Sequence, residues 1–399
     1  MENKHKKLHI AYLIPGGLFN PGGMERITIA KANYLVEKVN YDVSIVTTEQ
    51  MGRPVFFPVS PLVKLYHLDI GIHENFGNES YMEKCISRYR KTNQYRKELN
   101  KLLHVIQPDI TVSLLGLDIE FLSQLNDGSI KIGELHFPGN FRELMARKLS
   151  SNFIPNLVAK IRSRKLRTAC RKLTNLVVLT EEEKSLWQED NVVVIPNFLS
   201  SFPEEISTCS QKKAIAVGRL VDEKGFDMLV SIWKQVHQQH PDWILNIFGQ
   251  GNQQDNLLQQ IKENDLEGVV MIHSPSKEIQ KEYLSHSMML FPSRYLEALP
   301  MVLLEAMSCG LPIVAFDAPC GPKDVIHESE NGFLVKTGDT EAMAERICTF
   351  IENTELRQTI GQKARKKSLV YSEDKIMGQW AELFAQIRSH NKSNNKHNK

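Results

Sequence analysis

The segment Met288–Phe316, MMLFPSRYLEALPMVLLEAMSCGLPIVAF, decides how this chain folds. It opens on the apolar run Met288–Phe291 and closes on Ile313–Phe316. Short, continuous apolar runs read as strands buried on both faces, as in parallel sheets covered by helices. Between them, Pro300 is an allowed first-turn residue of a helix and Gly310 suits its C-terminal end. The helix is almost wholly apolar: Met301, Val302, Leu303, Leu304, Ala306 and Met307. The segment is therefore strand, loop, buried helix, strand.

The same alternation extends in both directions. In the first half the expected strands are Leu8–Ile14, Asp42–Thr47, Ile110–Leu114, Ile130–Leu135, Leu176–Leu179 and Val192–Ile195. In the second half they are Ala214–Val217, Ile244–Phe248, Val269–Ile272, Met288–Phe291, Ile313–Phe316 and Gly332–Val335. Helical patterns separate them, among them Glu25–Lys38, Met82–Val105, Gly225–Gln239 and Thr340–Ile351. Alternating β and α over the whole chain means an α/β protein with two doubly wound parallel sheets. Ligands of such sheets bind outside the carboxyl ends of the strands, so the cleft between two of them is the expected site. The expected division is a first domain over 1–198, a Ser-, Pro- and charge-rich linker over 199–211 and a second domain over 212–371. A helix over 372–388 is expected to cross back to the first domain, before a disordered polar tail over 389–399. Thr180 and Glu183 form a capping box for a helix near the boundary.

Composition narrows the function. With 399 residues, 42% of them hydrophobic and a net charge of only +2, the chain is neither disordered nor a nucleic-acid-coating protein. Its six cysteines form no C-x-x-C pair, which fits a reducing compartment and signals no zinc ribbon. No secretory leader and no apolar run of about 18 residues is expected, so the reading is a cytoplasmic protein without a membrane span.

The chemistry is expected in the loops after the strands. Pro15–Arg26 carries Gly22 and Gly23 just before a helix. Such a loop either lets backbone N–H groups approach an anionic ligand or is simply a tight strand–helix turn. It is neither G-x-G-x-x-G nor a P-loop. Ala216–Phe226, AVGRLVDEKGF, places Arg219 and Lys224 after a buried strand. There they suit a phosphate, or pair with Asp222 or Glu223. Glu297 lies in the loop before the apolar helix and Glu305 in its second turn. A carboxylate within such a helix is costly to bury unless it accepts hydrogen bonds, which two ligand hydroxyls or a buried Arg can supply.

Glu297 and Glu305 stand in an E-x7-E spacing. Together with Gly218-Arg219, Lys224-Gly225, Gly321-Pro322 and Asn331-Gly332 they resemble the retaining nucleotide-sugar glycosyltransferases of the GT-B fold, family 4. The resemblance spans nearly the whole chain and is densest over Ala214–Val335. It implies that Glu297 hydrogen-bonds the donor sugar, that Glu305 accepts from the ribose hydroxyls, and that Arg219 and Lys224 hold the diphosphate. It also implies that Gly22 and Gly23 lie close to that diphosphate. By the same resemblance the backbone amides of Ala298 and Leu299 would serve the donor and His136 would stand near the donor sugar, although a lone histidine also reads as an ordinary loop residue. The family usually has Gly where this chain has Ala298, so the loop there must keep an ordinary φ. No D-x-D and no His/Cys cluster occurs. No metal and no cofactor is therefore expected, and the charge of the leaving nucleotide falls to Arg219, Lys224 and helix N-termini.

The expected activity is transfer of a hexose or N-acetylhexosamine from a nucleotide sugar, UDP-linked by family frequency, to a glycan acceptor. The expected acceptor is linked to polyprenyl diphosphate. The alternatives are a soluble transferase with a small acceptor and an inactive nucleotide-sugar-binding protein. Arg142–Lys172 holds ten basic residues and one acidic residue, interrupted by the apolar Phe153, Ile154, Leu157 and Val158. A second basic run spans Lys84–Lys101. Basic amphipathic helices read either as elements lying on an anionic membrane surface, here the inner face of the cell membrane, or as solvated helix faces. Sparse aromatic interleaving disfavours nucleic acid as a partner.

Overall fold

The computed structural model describes residues 7–20, 22–72, 81–139, 141, 143, 153–295 and 297–397. The chain divides into two compact units. Unit 1 holds residues 1–179, 184–195 and 376–399, and unit 2 holds 180–183 and 196–375.

In unit 1 the strands are β1 (His9–Ile14), β2 (Asp42–Thr47), β3 (Lys64–His67), β4 (Ile110–Ser113), β5 (Ile130–Glu134), β6 (Asn175–Val178) and β7 (Val192–Val194). They form one parallel sheet in the order β3-β2-β1-β4-β5-β6-β7. Its helices are α1 (Gly23–Glu37), α2 (Tyr81–Ile106) and α3 (Phe153–Cys170). Tyr95, Leu99 and Leu103 of α2 and Leu166 and Cys170 of α3 share one core on this sheet. The sequence reading misses β3. This strand, KLYH, lies at the sheet edge with no residue fully buried, so it lacks a continuous apolar run.

The short helix α4 (Glu181–Trp187) straddles the division. The Glu183 N–H donates to Thr180 Oγ1 at 3.2 Å, as a capping box requires. Residues 180–183 belong to unit 2 because Asp324 accepts the Glu181 N–H at 3.0 Å and Lys323 pairs with Glu182 at 2.8 Å.

In unit 2, β8 (Lys213–Val217), β9 (Ile244–Phe248), β10 (Val270–His273), β11 (Met288–Phe291), β12 (Ile313–Phe316) and β13 (Gly332–Val335) form a second parallel sheet, ordered β10-β9-β8-β11-β12-β13. The helices are α5 (Phe226–Gln239), α6 (Gln254–Glu263), α7 (Ile279–Leu284), α8 (Met301–Ser308), α9 (Pro322–Val325), α10 (Thr340–Glu352) and α11 (Thr354–Ser368). α5 turns Phe226, Leu229, Trp233 and Val236 inward at helical spacing, and they pack into the core of this sheet.

Two expected segments differ. Residues 199–211 are not a free linker but pack on unit 2. Leu199 pairs with Ser372, the Ser207 N–H donates to the Cys309 carbonyl at 2.8 Å, and Cys209 is buried. The last helix, α12 (Glu373–His397), continues past 388 through most of the stretch expected to be disordered. Polar as it is, that stretch contains neither Pro nor Gly to stop a helix.

Candidate active site

Both sheets reverse strand order beside their first strand, and loops at that point are where doubly wound folds bind ligands. In unit 2 the reversal lies between β8 and β11. The loops leaving these strands carry Arg219 with Lys224 and Ser293 with Glu297.

The two loops are laced together. Gly225 has φ +67°, and a Cβ there would meet the Pro292 carbonyl oxygen at 2.1 Å, so only glycine fits. Arg294 donates through both terminal nitrogens to the Asp227 carboxylate, at 2.7 Å for Nη1, and its N–H donates to the Glu223 carbonyl at 2.9 Å. Tyr295 Oη donates to Asp222 at 2.8 Å. This lacing brings together two residues 73 positions apart: Lys224 Nζ donates to Glu297 Oε1 at 2.5 Å. The Glu297 side chain is 6% exposed and Lys224 19%, so the pair is screened from water without being sealed. Buried Ser293 donates to the same Oε1. Arg219 stands apart, 73% exposed, with Nη2 3.7 Å from Glu223. Neither loop charge pair predicted for Lys224 is the one that forms.

Ala298 is half-buried and not among the residues of positive φ, as its side chain demands, and Leu299 is buried. Gly321, at φ +117°, packs against this turn, and a Cβ there would come within 2.7 Å of the Ala298 carbonyl oxygen. On α8, Leu303, Leu304, Ala306 and Met307 face the core and leave Glu305 half-buried, not enclosed. Tyr283 Oη donates to Glu305 Oε2 at 3.4 Å.

In unit 1, Gly22 precedes α1 and Gly23 is its first residue. Both have ordinary φ, so neither is there for a left-handed turn. A Cβ on Gly22 would collide with Glu25, which folds back beneath it, whereas a Cβ on Gly23 would meet nothing within 4 Å. The helix start is thus open at exposed Gly23. His136 follows β5. Its Nε2 stands 2.8 Å from Glu134 Oε1, with that side chain only 7% exposed. Glu134 is wholly buried and pairs with Lys31 of α1, itself 2% exposed and lying 4.5 Å from the centre of the Trp380 ring of α12. Burial works against ionising Glu134, but Lys31 and His136 outweigh it and hold the carboxyl down to about 2.

Sequence reasoning missed Lys31, Glu134, Ser293 and Arg294. The last two lay within the quoted segment, where an Arg beside a Ser ahead of a buried carboxylate was the available signal. Among the described residues no group of three or more His, Cys, Asp or Glu could hold a metal ion.

Comparison with known proteins settles the class. The family "Glycosyl transferases group 1" matches residues 202–367. An uncharacterised glycosyltransferase of Haemophilus influenzae is 31% identical over 90% of this chain and 95% of its own length. The chain belongs to the group 1 glycosyl transferases. An amylovoran biosynthesis glycosyltransferase of Erwinia amylovora, AmsD, is 30% identical over 92% of this chain and 97% of its own. A solved structure of S. aureus TarM, in complex with fondaparinux, alpha-GlcNAc-glycerol and UDP, superposes with a TM-score of 0.73 over 94% of this chain and 99% of that one. At 17% identity it shows the shared GT-B fold alone. This protein is therefore a glycosyltransferase enzyme.

Proposed function

We propose that the enzyme is a retaining, family 4 transferase. It moves a hexose or N-acetylhexosamine from a UDP-sugar to a glycan carried on polyprenyl diphosphate, in polysaccharide biosynthesis. The observation that carries this reading is the Lys224–Glu297 pair at the strand reversal of unit 2. An ion pair left 6–19% exposed is one that a ligand can take apart. A donor diphosphate claims Lys224, and the sugar hydroxyls donate to the freed Glu297. Arg219, projecting into solvent, adds a second cation for the same phosphates. Glu305 accepts from the ribose hydroxyls, the amides of Ala298 and Leu299 face the donor, and the open helix start at Gly22 and Gly23 faces its diphosphate. His136 lies by the donor sugar.

Transfer then runs by front-face displacement. The acceptor oxygen bonds to the anomeric carbon on the face from which the diphosphate departs. The C–O bond to phosphate breaks with its electron pair, and the acceptor proton passes to a phosphate oxygen. The growing charge is met by Lys224, Arg219 and backbone N–H groups without a metal. UDP is favoured because the TarM structure holds it, and a polysaccharide product because AmsD is named for one.

The membrane reading rests on α3. Its Leu157, Val158 and Ile161 are exposed beside exposed Lys160, Arg162, Arg164 and Lys165. No helix among the described residues is long and apolar enough to cross a membrane, so attachment at the inner face of the cell membrane would be peripheral. Arg142, Arg147 and Lys148 of the same basic stretch, and the side chains of Phe153 and Ile154, lie outside the described residues.

The test is a panel of UDP-sugars with polyprenyl-diphosphate-linked and free saccharide acceptors, with product configuration read by NMR. Release of UDP with an α-linked product on the lipid acceptor is expected. A β-linked product or exclusive use of free sugar contradicts the reading.

A further inference from the structure

A fully buried ion pair is expensive. Both ions lose their hydration, and apolar residues of similar volume often serve stability as well. Lys31 and Glu134 nevertheless form such a pair within unit 1, with Trp380 closing over the ammonium. No part of the activity derived so far uses it. Among the described residues the pair reaches His136, whose buried Nε2 stands 2.8 Å from the Glu134 oxygen that Lys31 also engages but, as the side chains are placed, is not aligned in a hydrogen bond with any partner.

We infer that Lys31 and Glu134 are positioning residues that fix the proton of His136 on Nε2, so that Nδ1 is presented as a hydrogen-bond acceptor. Donors and acceptors decide the tautomer. Lys31 keeps Glu134 ionised, and an ionised carboxylate only accepts. Whenever the ring is neutral, the nitrogen facing the carboxylate must therefore carry the hydrogen, and the opposite nitrogen must carry the lone pair. A neutral partner such as Gln could donate as well as accept and would leave the ring free to adopt either tautomer. Lys31 has a second task. Without it, the buried carboxyl would take up a proton itself and could no longer dictate the ring. Glu25, another carboxylate whose field reaches His136, is buried at the start of α1, and burial raises its carboxyl above the usual range. Glu134 is thus the stronger anion of the two. An Nδ1 acceptor suits a sugar or acceptor hydroxyl and does not suit a phosphate oxygen. This assignment rests on His136 lying by the substrate.

The test uses the full-length protein with ¹⁵N-labelled histidine. In the wild type, His136 Nε2 should show the shift of a protonated ring nitrogen and Nδ1 that of an unprotonated one. Glu134→Gln should mix the two tautomers and lower kcat about ten- to a hundred-fold, with donor KM little changed. Because Glu134→Gln strands a buried Lys31, the double variant Lys31→Met/Glu134→Gln provides a neutral pair of similar volume that should fold. It should show the same mixed tautomers and the same kcat loss. An unchanged tautomer in both variants, or unchanged kcat with a mixed tautomer, overturns the inference. His136→Ala separates the two levels. Full activity in that variant contradicts the placement of His136 by the substrate, whereas loss there with normal kcat in the double variant contradicts the positioning role alone.

Discussion

Glu297 and Glu134 are both carboxylates paired with a lysine and screened from solvent, yet the two pairs are built for different ends. Glu297 shares Lys224 and Ser293 between two loops, and Lys224 keeps a fifth of its surface in water. Glu134 meets Lys31 on a strand end and a helix interior, with 0% and 2% exposure. The first pair can exchange its partners for those of a ligand at small cost. The second cannot open without leaving a charge in a medium that does not solvate it. Mobility of an ion pair is thus set by what surrounds it, and under the proposed function the first pair acts as a latch and the second as an anchor.

The comparison breaks most easily at the anchor. Lys31→Met or Glu134→Gln should each destabilise the fold by about 3–5 kcal/mol in denaturant titration, because the remaining charge is stranded, whereas the double variant should recover most of the loss. The pH dependence gives the sign. The Glu134 carboxyl is held down to about 2 from its ordinary 4.5, so its contribution is full above that ordinary value and fades as pH falls toward the lower one. The gap between wild type and Glu134→Gln should therefore narrow in acid. A gap that widens in acid would mean that Glu134 is not ionised.

At the latch the expected damage is to rate rather than to stability. Lys224→Ala and Arg219→Ala should each lower kcat more than they raise KM, by about 10²-fold or more for Lys224, since charge on the leaving diphosphate grows in the transition state. Melting temperatures should stay close to wild type. Activity should also persist in EDTA, and complete loss that Mg²⁺ restores would contradict the charge assignment. Glu305→Gln should weaken UDP binding by about 1.5–3 kcal/mol in calorimetry, and unchanged affinity would remove Glu305 from the ribose. The smallest effect is expected at α3. Neutralising Arg162, Arg164 and Lys165 should cost about 1 kcal/mol per residue in binding to anionic vesicles. Arg167 belongs outside that set, because it lies over Trp187 at 5.0 Å and donates to the Leu186 carbonyl at 3.0 Å.

What could be read from the sequence follows the same division. The buried strands announced themselves as apolar runs, and the loops after β8 and β11 lie in two compact segments, so Lys224 and Glu297 were visible as candidates. That they pair with each other was not, because 73 residues separate them and Asp222 and Glu223 stand nearer in sequence. The anchor was invisible for a stronger form of this reason. Lys31 sits in a helix pattern, where a lysine reads as surface, and its partner lies 103 residues away at the end of a strand. Edge strand β3 was lost because half-exposed positions carry no apolar run. The helical end of α12 is not legible because a polar stretch without apolar periodicity carries no helix signal, although it also holds no Pro or Gly to stop one.

The latch is tested most directly by Glu297→Gln, measured for UDP affinity by calorimetry and for turnover in the same preparation. If Glu297 holds Lys224 until a diphosphate claims it, removing the carboxylate charge leaves Lys224 free, and UDP should bind more tightly than to wild type while sugar transfer collapses. UDP affinity that is unchanged or weaker in the variant would contradict the exchange of partners on which this account of the donor site depends.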